Sequence, residues 1–350
     1  MTHLINVAID YGLFLLEVAT IVMAIGLVIG WLVSAAGELR ARKQETLKVT
    51  NVNERLESMA DRMSETLLNA SEKKARRKQK KSEAKQRQKA EKLGRKHEPN
   101  RLFVLDFDGD IKASPVESLR ESINALLQVA ESGDEVLVRL ESGGGMVHSY
   151  GLAASQLVRL REAGMHLTVA VDRVAASGGY LMACVAERIV AAPFAIVGSI
   201  GVVAQLPNFH RFLKDKDIDF DVYTAGEHKR TLTMFGENTE SGRAKFVEEL
   251  EDVHGLFKSF VGDYRPSLDI DAVSTGEHWH GTQALSMSLI DEIGTSDDVM
   301  LTAARNERSV YTVDSHERGS VWQRITGEAG RLMSRLAAGG AVGVDARRPS

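Results

Sequence analysis

Two hydrophobic periods alternate along the middle of the chain. Apolar runs typical of buried strands occupy residues 101–111, 135–141, 166–174 and 188–192. Between them, residues 116–131 and 147–163 repeat apolar positions every three or four residues, which predicts helices. Alternating strands and helices predict an α/β domain with a parallel sheet, whose functional loops follow the carboxyl ends of the strands.

The beginning of the chain has a different pattern. Residues 18–37 are twenty consecutive residues without a charged side chain, and the apolar run extends back to Tyr11 across Glu17. About twenty apolar residues match the hydrocarbon thickness of a bilayer. A cleaved signal peptide would need a basic leading region and a shorter apolar core, whereas residues 1–10 contain no Lys or Arg. We therefore expect an uncleaved transmembrane anchor over residues 1–37.

Residues 38–100 are rich in charge and contain few large apolar side chains, so they predict a charged helical linker rather than a core. Thirteen Lys and Arg face three Glu between residues 71 and 96, although the whole chain has a net charge of −4. This basic stretch is either a solvated spacer or an arm that contacts anionic lipid. Nucleic acid is not an expected partner, because the stretch has no aromatic residue on which bases could stack.

The remaining composition limits the possible chemistry. The chain has 350 residues, of which 43% are hydrophobic, so it can bury a sizeable core. Its single cysteine, Cys184, excludes an intrachain disulfide and is interpreted as a core residue. We expect a globular domain over residues 101–304, followed by a helix and a flexible tail within residues 305–350.

Two glycine-containing turns are the candidate functional loops. Within residues 170–189 an apolar strand breaks at Ser177 and restarts as a helix, so this serine is either a helix cap or an exposed nucleophile. Residues 142–145, Ser-Gly-Gly-Gly, follow the preceding strand, and their amides could receive an oxyanion or a phosphate. No Gly-Lys-Ser/Thr follows, so this is not a Walker A loop.

A nucleophilic serine needs a base, and the sequence offers no clear histidine for that role. A lysine can serve if burial lowers its pKa well below about 10.4, but spacing alone does not select Lys229. Asp106 and Asp108 resemble the nucleophile motif of haloacid dehalogenase-type phosphatases, although Asp110 stands where those enzymes have Thr or Val. His278 and His280 have metal-ligand spacing without a third ligand.

Four motifs in fixed order resemble the signal peptide peptidase A family of Ser/Lys membrane proteases over about residues 101–304. These motifs are SGGG at 142–145, AASGGY at 175–180, GSIGV at 198–202 and GEHKR at 226–230. The resemblance implies a ClpP/crotonase-like fold, a spiral of ββα units. It also implies peptide hydrolysis without metal or other cofactor, by a homo-oligomer.

Carried over residue by residue, the resemblance makes Ser177 the nucleophile and Lys229 the general base. The oxyanion donors would be the amide of Gly178 and one amide of Gly144 or Gly145. A further serine, Ser199, would orient the lysine.

The resemblance further implies signal peptides or membrane-protein fragments as substrates and the bacterial cell inner membrane as the location. The basic linker favours a cytoplasmic domain whereas the resemblance favours the outer face, so the side stays open. Two alternatives remain. One is an acyl-CoA-binding crotonase-like enzyme that uses the glycine loop without Lys229. The other is a non-catalytic membrane scaffold that recruits partners through the basic linker and the C-terminal helix.

Overall fold

The computed structural model describes a defined part of the chain. The described residues are 13–14, 16–26, 30, 46–92, 101–131, 133–226 and 228–316. Two compact units are present, one formed by residues 48–314 and the other by residues 1–47 with 315–350. Residues 16–26, in the second unit, are helical. The predicted anchor lies partly outside the described residues, and among those described no helix has both the length and the apolar character to cross a membrane.

From Thr46 onward the described residues form strands that are mostly connected by helices. The strands are β1 (Thr46–Asn51), β2 (Arg101–Gly109), β3 (Glu135–Ser142), β4 (His166–Val171), β5 (Val174–Ala176), β6 (Arg188–Ala191), β7 (Ile196–Gly198), β8 (His278–His280), β9 (Glu292–Ile293) and β10 (Ser309–His316). The helices are α1 (Val52–Leu67), α2 (Ala70–Lys92), α3 (Val116–Val129), α4 (Val147–Glu162), α5 (Gly178–Ala183), α6 (His210–Lys214), α7 (Glu240–Tyr264), α8 (Ile270–Val273), α9 (Gly281–Ser286) and α10 (Ser296–Arg305). The predicted α/β class is thereby confirmed.

The strands form one mixed sheet with a branch. Its main order is β1-β10-β2-β3-β4-β6-β9. The branch starts at β3, where β5 pairs with β3, β7 pairs with β5, and β8 pairs with β7. The pairs from β10 through β9 are parallel, as are β3–β5 and β5–β7, whereas β8 runs antiparallel to β7. Because parallel strands need crossover connections, the helices cover the faces of this sheet.

The core has two layers, one on each face of the sheet. Alternate residues of a strand point to opposite faces, so Phe103 and Leu105 of β2 enter one cluster while Leu102 and Val104 enter the other. The larger cluster contains the apolar faces of α3 and α4. The smaller one contains Val52 of α1 together with residues of α10. The helix α1 therefore packs on the sheet itself.

The branch at β3 determines where the functional loops lie. β3 pairs with β4 along its first part, and then its last residue, Ser142, pairs with Ala175 of β5. The loop after β3 and the turn after β5 therefore start side by side at the same edge of the sheet. Such carboxyl-terminal edges are where parallel α/β sheets bind ligands.

Three features differ from the sequence-based expectation. The predicted strand over residues 166–174 is two strands, β4 and β5, which join different neighbours. The linker begins with β1, so the sheet starts well before residue 101. Residues 309–316, expected to follow the domain, form a strand inside the sheet. The predicted C-terminal helix and tail lie outside the described residues.

Candidate active site

Ser177 occupies a strained turn between β5 and α5. Its backbone has φ 52° and ψ −118°, a left-handed conformation that a residue with a side chain rarely adopts. The Ser177 amide donates to the carbonyl of Gly198 at 2.8 Å, and its carbonyl accepts from the amide of Leu181. Such strain costs on the order of 1–3 kcal/mol and concentrates at functional sites. Ser177 is half-buried at the N-cap position of α5, but its hydroxyl caps no helix amide, so the side chain is not used as a cap.

The glycine loop after β3 packs directly against this turn. Gly144 has φ +88°, and a Cβ atom there would lie 2.7 Å from the Cβ of Ser177 and 2.8 Å from the amide nitrogen of Gly178. Real Cβ atoms do not approach other atoms so closely, so only glycine fits at this position. A Cβ on Gly178 would in turn collide with the ring of Tyr150. The absence of these side chains lets two backbone segments meet beside the serine hydroxyl.

The hydrogen bonds of this loop distinguish its two candidate oxyanion donors. The Gly144 amide donates to Ser142 Oγ at 3.0 Å, so it already has an acceptor. Within the part of the chain that the structure describes, the amides of Gly145 and Gly178 donate no hydrogen bond to another residue. A free amide from each of the two segments can therefore serve an oxygen placed near Ser177.

Tyr150 supports the glycine loop and was not found from the sequence. Its buried ring lies beneath Gly178, and its hydroxyl donates to the carbonyl of Asp110 at 2.7 Å and contacts Ser142 Oγ. Burial raises the pKa of Tyr150, so it stays a neutral donor. The Ser142 hydroxyl also donates to the carbonyl of Gly109 at 3.2 Å. An aromatic residue in the first turn of the helix after a glycine loop was the available signal.

Ser199 follows the strand paired with the nucleophile's strand. Ala176 is in register with Gly198, so Ser177 and Ser199 are the next residues of two adjacent parallel strands. Ser199 also has a positive φ, 53°, and its amide donates to the carbonyl of Glu277 at 2.6 Å. The ring of Trp279, on β8, packs against Gly198. The segment around Trp279 therefore packs on the strand that leads to Ser199.

Lys229 is not brought to Ser177 in the single chain. It follows a turn in which its amide donates to the carbonyl of Gly226 at 3.2 Å, and its side chain is exposed. It does not line the cavity at Ser177, and the structure shows no contact between these two side chains in the residues it describes. Of the residues singled out from the motifs, Ser177, Gly178, Gly144, Gly145 and Ser199 cluster, whereas Lys229 lies apart.

An apolar cavity opens beside Ser177. It has a volume of about 350 Å³ and is bounded by the two loops, by α4 and by one face of α7. Its lining residues include Gly151, Ala154, Leu181, Val253, Phe257 and Phe260. An apolar cavity next to a nucleophile can accommodate an apolar side chain of a substrate.

The other candidate groups have structural explanations. Asp106 forms an ion pair with Arg139 at 2.5 Å, and the described residues contain no cluster of three or more His, Cys, Asp or Glu that could hold a metal ion. His280 Nδ1 lies 3.3 Å from the carbonyl oxygen of Phe194. Cys184 is buried, which raises the pKa of its thiol and confirms that it is a core residue.

Two family models match consecutive parts of this chain. The family model for the N-terminal part of peptidase family S49 matches residues 6–157, and the model for peptidase family S49 matches residues 159–310. The chain belongs to peptidase family S49. This confirms the resemblance inferred from the four motifs, and with it that the protein is a serine protease and a hydrolase.

Among its relatives, a probable protease SohB of Haemophilus influenzae is 51% identical over 326 residues, which is 91% of this chain and 92% of that protein. A probable protease SohB of Buchnera aphidicola subsp. Acyrthosiphon pisum is 58% identical over 231 residues, covering 66% of this chain and 68% of the relative. Among solved structures, a mutant of the 1510-N membrane-bound stomatin-specific protease with a substrate peptide has a TM-score of 0.37. It is 12% identical and covers 61% of this chain and 83% of that one.

Proposed function

We propose that the protein is a membrane-anchored serine endopeptidase in which Ser177 is the nucleophile and Lys229 the general base. One observation carries the proposal: Ser177 is held at a positive φ against Gly144, and it lines one cavity together with Gly145 and Gly178, whose amides are unengaged. A nucleophile presented on a strained strand-to-helix turn beside backbone donors is the arrangement that acyl transfer requires.

The mechanism follows from the chemistry of these groups. Neutral Lys229 accepts the proton of Ser177 as Oγ attacks the peptide carbonyl, and the C–O bond forms while the carbonyl π bond becomes an oxyanion. The amides of Gly178 and Gly145 donate to that oxyanion. The C–N bond then breaks, protonated Lys229 gives its proton to the leaving amine, and water hydrolyses the acyl-enzyme by the same steps. Ser199, beside Ser177, orients the lysine.

The base is assigned from the Gly-Glu-His-Lys-Arg motif, because Lys229 is exposed in the single chain. The segment from Val203 to Arg230, which contains Lys229, also exposes large apolar side chains. Among them, Val203 is 80% exposed and Tyr223 is 90% exposed. Exposed apolar surface of this kind marks a site of association. We propose that the protein is a homo-oligomer in which this segment, with Lys229, is covered. Its fold is proposed to be the ClpP/crotonase-like spiral.

The cavity supports apolar substrates. A lining formed largely by apolar side chains of α4, α5 and α7 favours an apolar residue next to the scissile bond. Signal peptides and membrane-protein fragments supply such residues, and the twenty-residue uncharged run at 18–37 would hold the enzyme at their bilayer. The proposed location is the bacterial cell inner membrane.

The proposal is tested with the purified full chain in detergent or vesicles. A fluorophosphonate probe should label the wild type, and S177A should lose both labelling and cleavage of an apolar peptide. K229A and K229R should both lose cleavage, because arginine keeps the charge but cannot accept the proton at neutral pH. The matched control is R230A, which alters the neighbouring exposed cation and should retain activity.

Each alternative gives a different result. A crotonase-like acyl-CoA enzyme would turn over an acyl-CoA and keep that activity in K229A. A scaffold would show no probe labelling, and S177A would leave its cellular phenotype unchanged. Full peptide cleavage by S177A contradicts the assignment of the nucleophile, and full cleavage by K229A contradicts that of the base.

A further inference from the structure

The two linker helices form a hairpin whose basic side chains are divided between two faces of α2. On the face toward α1, Lys80 pairs with Asp61 at 2.5 Å and Arg77 pairs with Glu65 at 3.1 Å. Arg76 also reaches Asp61, at 3.6 Å. These three cations share two carboxylates within the hairpin, and the hydrogen bond from Lys80 is the main cause of the lowered pKa of Asp61.

The charged residues on another face of α2 are all lysines. We call Lys74, Lys78, Lys81, Lys85 and Lys89 the lysine stripe. Their spacing of three or four residues places them within an arc of about 80° on a helix of 3.6 residues per turn. All five side chains are exposed. Charge on this helix is therefore sorted by face, which is not the pattern of a merely solvated spacer.

The stripe has a cost in the isolated hairpin. Neighbouring lysines three or four positions apart repel one another, and such like-charge pairs destabilise a helix. Glu72, in the first turn of α2, is turned toward the start of the helix, where its carboxylate accepts from the amide of Asn69 at 2.9 Å. A partner that presents many anionic groups along one line would remove this repulsion.

We propose that the lysine stripe binds the anionic phospholipid headgroups of the bilayer in which the chain is anchored. From Lys74 to Lys89 the stripe is about 22 Å long, which suits an extended charged surface rather than a single small anion. Lysines near such a surface attract anionic lipid without needing a defined geometry.

The composition of α2 favours lipid over nucleic acid. The helix contains no aromatic residue on which a base could stack. It also lacks an apolar face, so it rests at the level of the headgroups and does not insert. The inference rests on the membrane attachment in the proposed function. β1 begins at Thr46, so at most about 30 Å of extended chain separates it from residue 37, where the proposed anchor ends.

The test uses the full chain reconstituted into vesicles of phosphatidylcholine alone or mixed with phosphatidylglycerol. An environment-sensitive fluorophore on S82C, an exposed position beside the stripe, reports contact with the surface; Cys184 is buried and stays unlabelled. The label should respond to phosphatidylglycerol at low salt and lose the response near 1 M salt, where the Debye length is about 3 Å.

A matched pair of variants locates the effect. K74Q/K78Q/K81Q removes three charges from the stripe, and R76Q/R77Q/K80Q removes three from the other face of the same helix. Each stripe lysine contributes about a fivefold factor, so the first variant should weaken docking about a hundredfold. The second should retain most of it. Circular dichroism checks that both hairpins stay helical.

Equal responses to neutral and anionic vesicles, or equal losses in the two triple variants, would overturn the inference. A response to single-stranded RNA but not to phosphatidylglycerol would assign the stripe to nucleic acid instead. Failure of the wild type to float with neutral vesicles contradicts the anchor alone. In that case flotation of the same chain with anionic vesicles decides the role of the stripe.

Discussion

A Cβ atom placed on Gly144 would lie 2.7 Å from the Cβ of Ser177, so the glycine loop and the serine turn are in contact without any intervening side chain. This contact arises because β3 changes partner from β4 to β5 at its last residue. Both backbones have positive φ at the point where they meet. The proposed oxyanion hole is therefore a product of sheet branching, and several substitutions test it.

G144A should inactivate the enzyme without unfolding it. Alanine would have to hold φ near +88° and would push against Ser177 Cβ and the Gly178 amide. Displacing the nucleophile by about 1 Å lowers kcat/KM on the order of a hundredfold. The control is G143A, because a Cβ at Gly143 meets nothing within 4 Å. Comparable loss of peptide cleavage in both variants would show that the loop needs glycine only for flexibility.

Y150F should lower kcat by more than its loss of folding stability would explain. Removing the hydroxyl deletes the bond to the Asp110 carbonyl and the contact with Ser142 Oγ, while the ring beneath Gly178 remains. We expect a destabilisation of about 1–3 kcal/mol for the buried groups left unpaired. We also expect kcat to fall with little change in KM, because Tyr150 positions the loop. Y311F is the control, because Tyr311 lies on β10 and does not line the cavity; unchanged kcat in Y150F would contradict this positioning role.

Gly151 allows the cavity to be filled in steps. It lies on α4, lines the cavity, and a Cβ there would meet nothing within 4 Å. G151A should raise the free energy of unfolding by about 0.5–1 kcal/mol through helix propensity, measured by urea denaturation. G151L should occupy part of the cavity and raise KM for peptides with a large apolar residue at the cleavage site. Peptides with alanine at that position serve as the control, and an equal rise in KM for both would argue against the cavity as the subsite.

Stability should fall in acid through buried ion pairs. Burial opposes ionisation of Asp291, but hydrogen bonds from Arg265 and the Ile189 amide outweigh it and lower the pKa of that carboxyl. A lowered pKa in the folded state adds stability above the ordinary value of about 3.9, and that stability is lost as the pH falls through the folded value. Burial likewise opposes ionisation of Asp134, whose bonds with Arg101 lower its pKa. Melting temperature should therefore decline from about pH 5 downward.

D291N isolates one of these contributions. It leaves Arg265, which is 7% exposed, without a counter-charge, and should cost about 3 kcal/mol at neutral pH. This is the low end of the range for a buried pair, because Asp291 itself is partly open to solvent. The acid slope of D291N should be shallower but not absent, since Asp134 remains. D271N, in an exposed pair with Lys258, should change the melting temperature little; a full wild-type slope in D291N would be inconsistent with this account.

The sequence predicted the elements with strong local signals. The helical period of residues 116–131 and the apolar run of residues 135–141 became α3 and β3 nearly as expected. Ser177 and Gly144 could be proposed because glycine-rich turns after apolar strands are visible in one dimension. β1 and β10 were missed because each carries only two or three apolar residues among polar ones, a pattern that indicates a strand only once the neighbouring strand is known.

The candidate site was predicted only in part, because some of its contacts join residues that are far apart in the sequence. The role of Tyr150 depends on a hydroxyl network with Ser142 and Asp110, which lie eight and forty residues away along the chain. No local pattern encodes such a contact. The position of Lys229 is different, because the motif names the residue but a single folded chain leaves its side chain in solvent.

The place of β10 in the sheet has a consequence for biosynthesis. β10 lies between β1 and β2, and Asn53 at the start of α1 accepts from the amide of Val310 and donates to the carbonyl of Arg308. β1 therefore cannot join the sheet until β10 has been synthesised, although β1 and Asn53 precede β10 by some 250 residues. Until β10 is made, the edge of β2 that pairs with it has no partner strand. The sheet is complete only after β10 has paired with β2 and with β1.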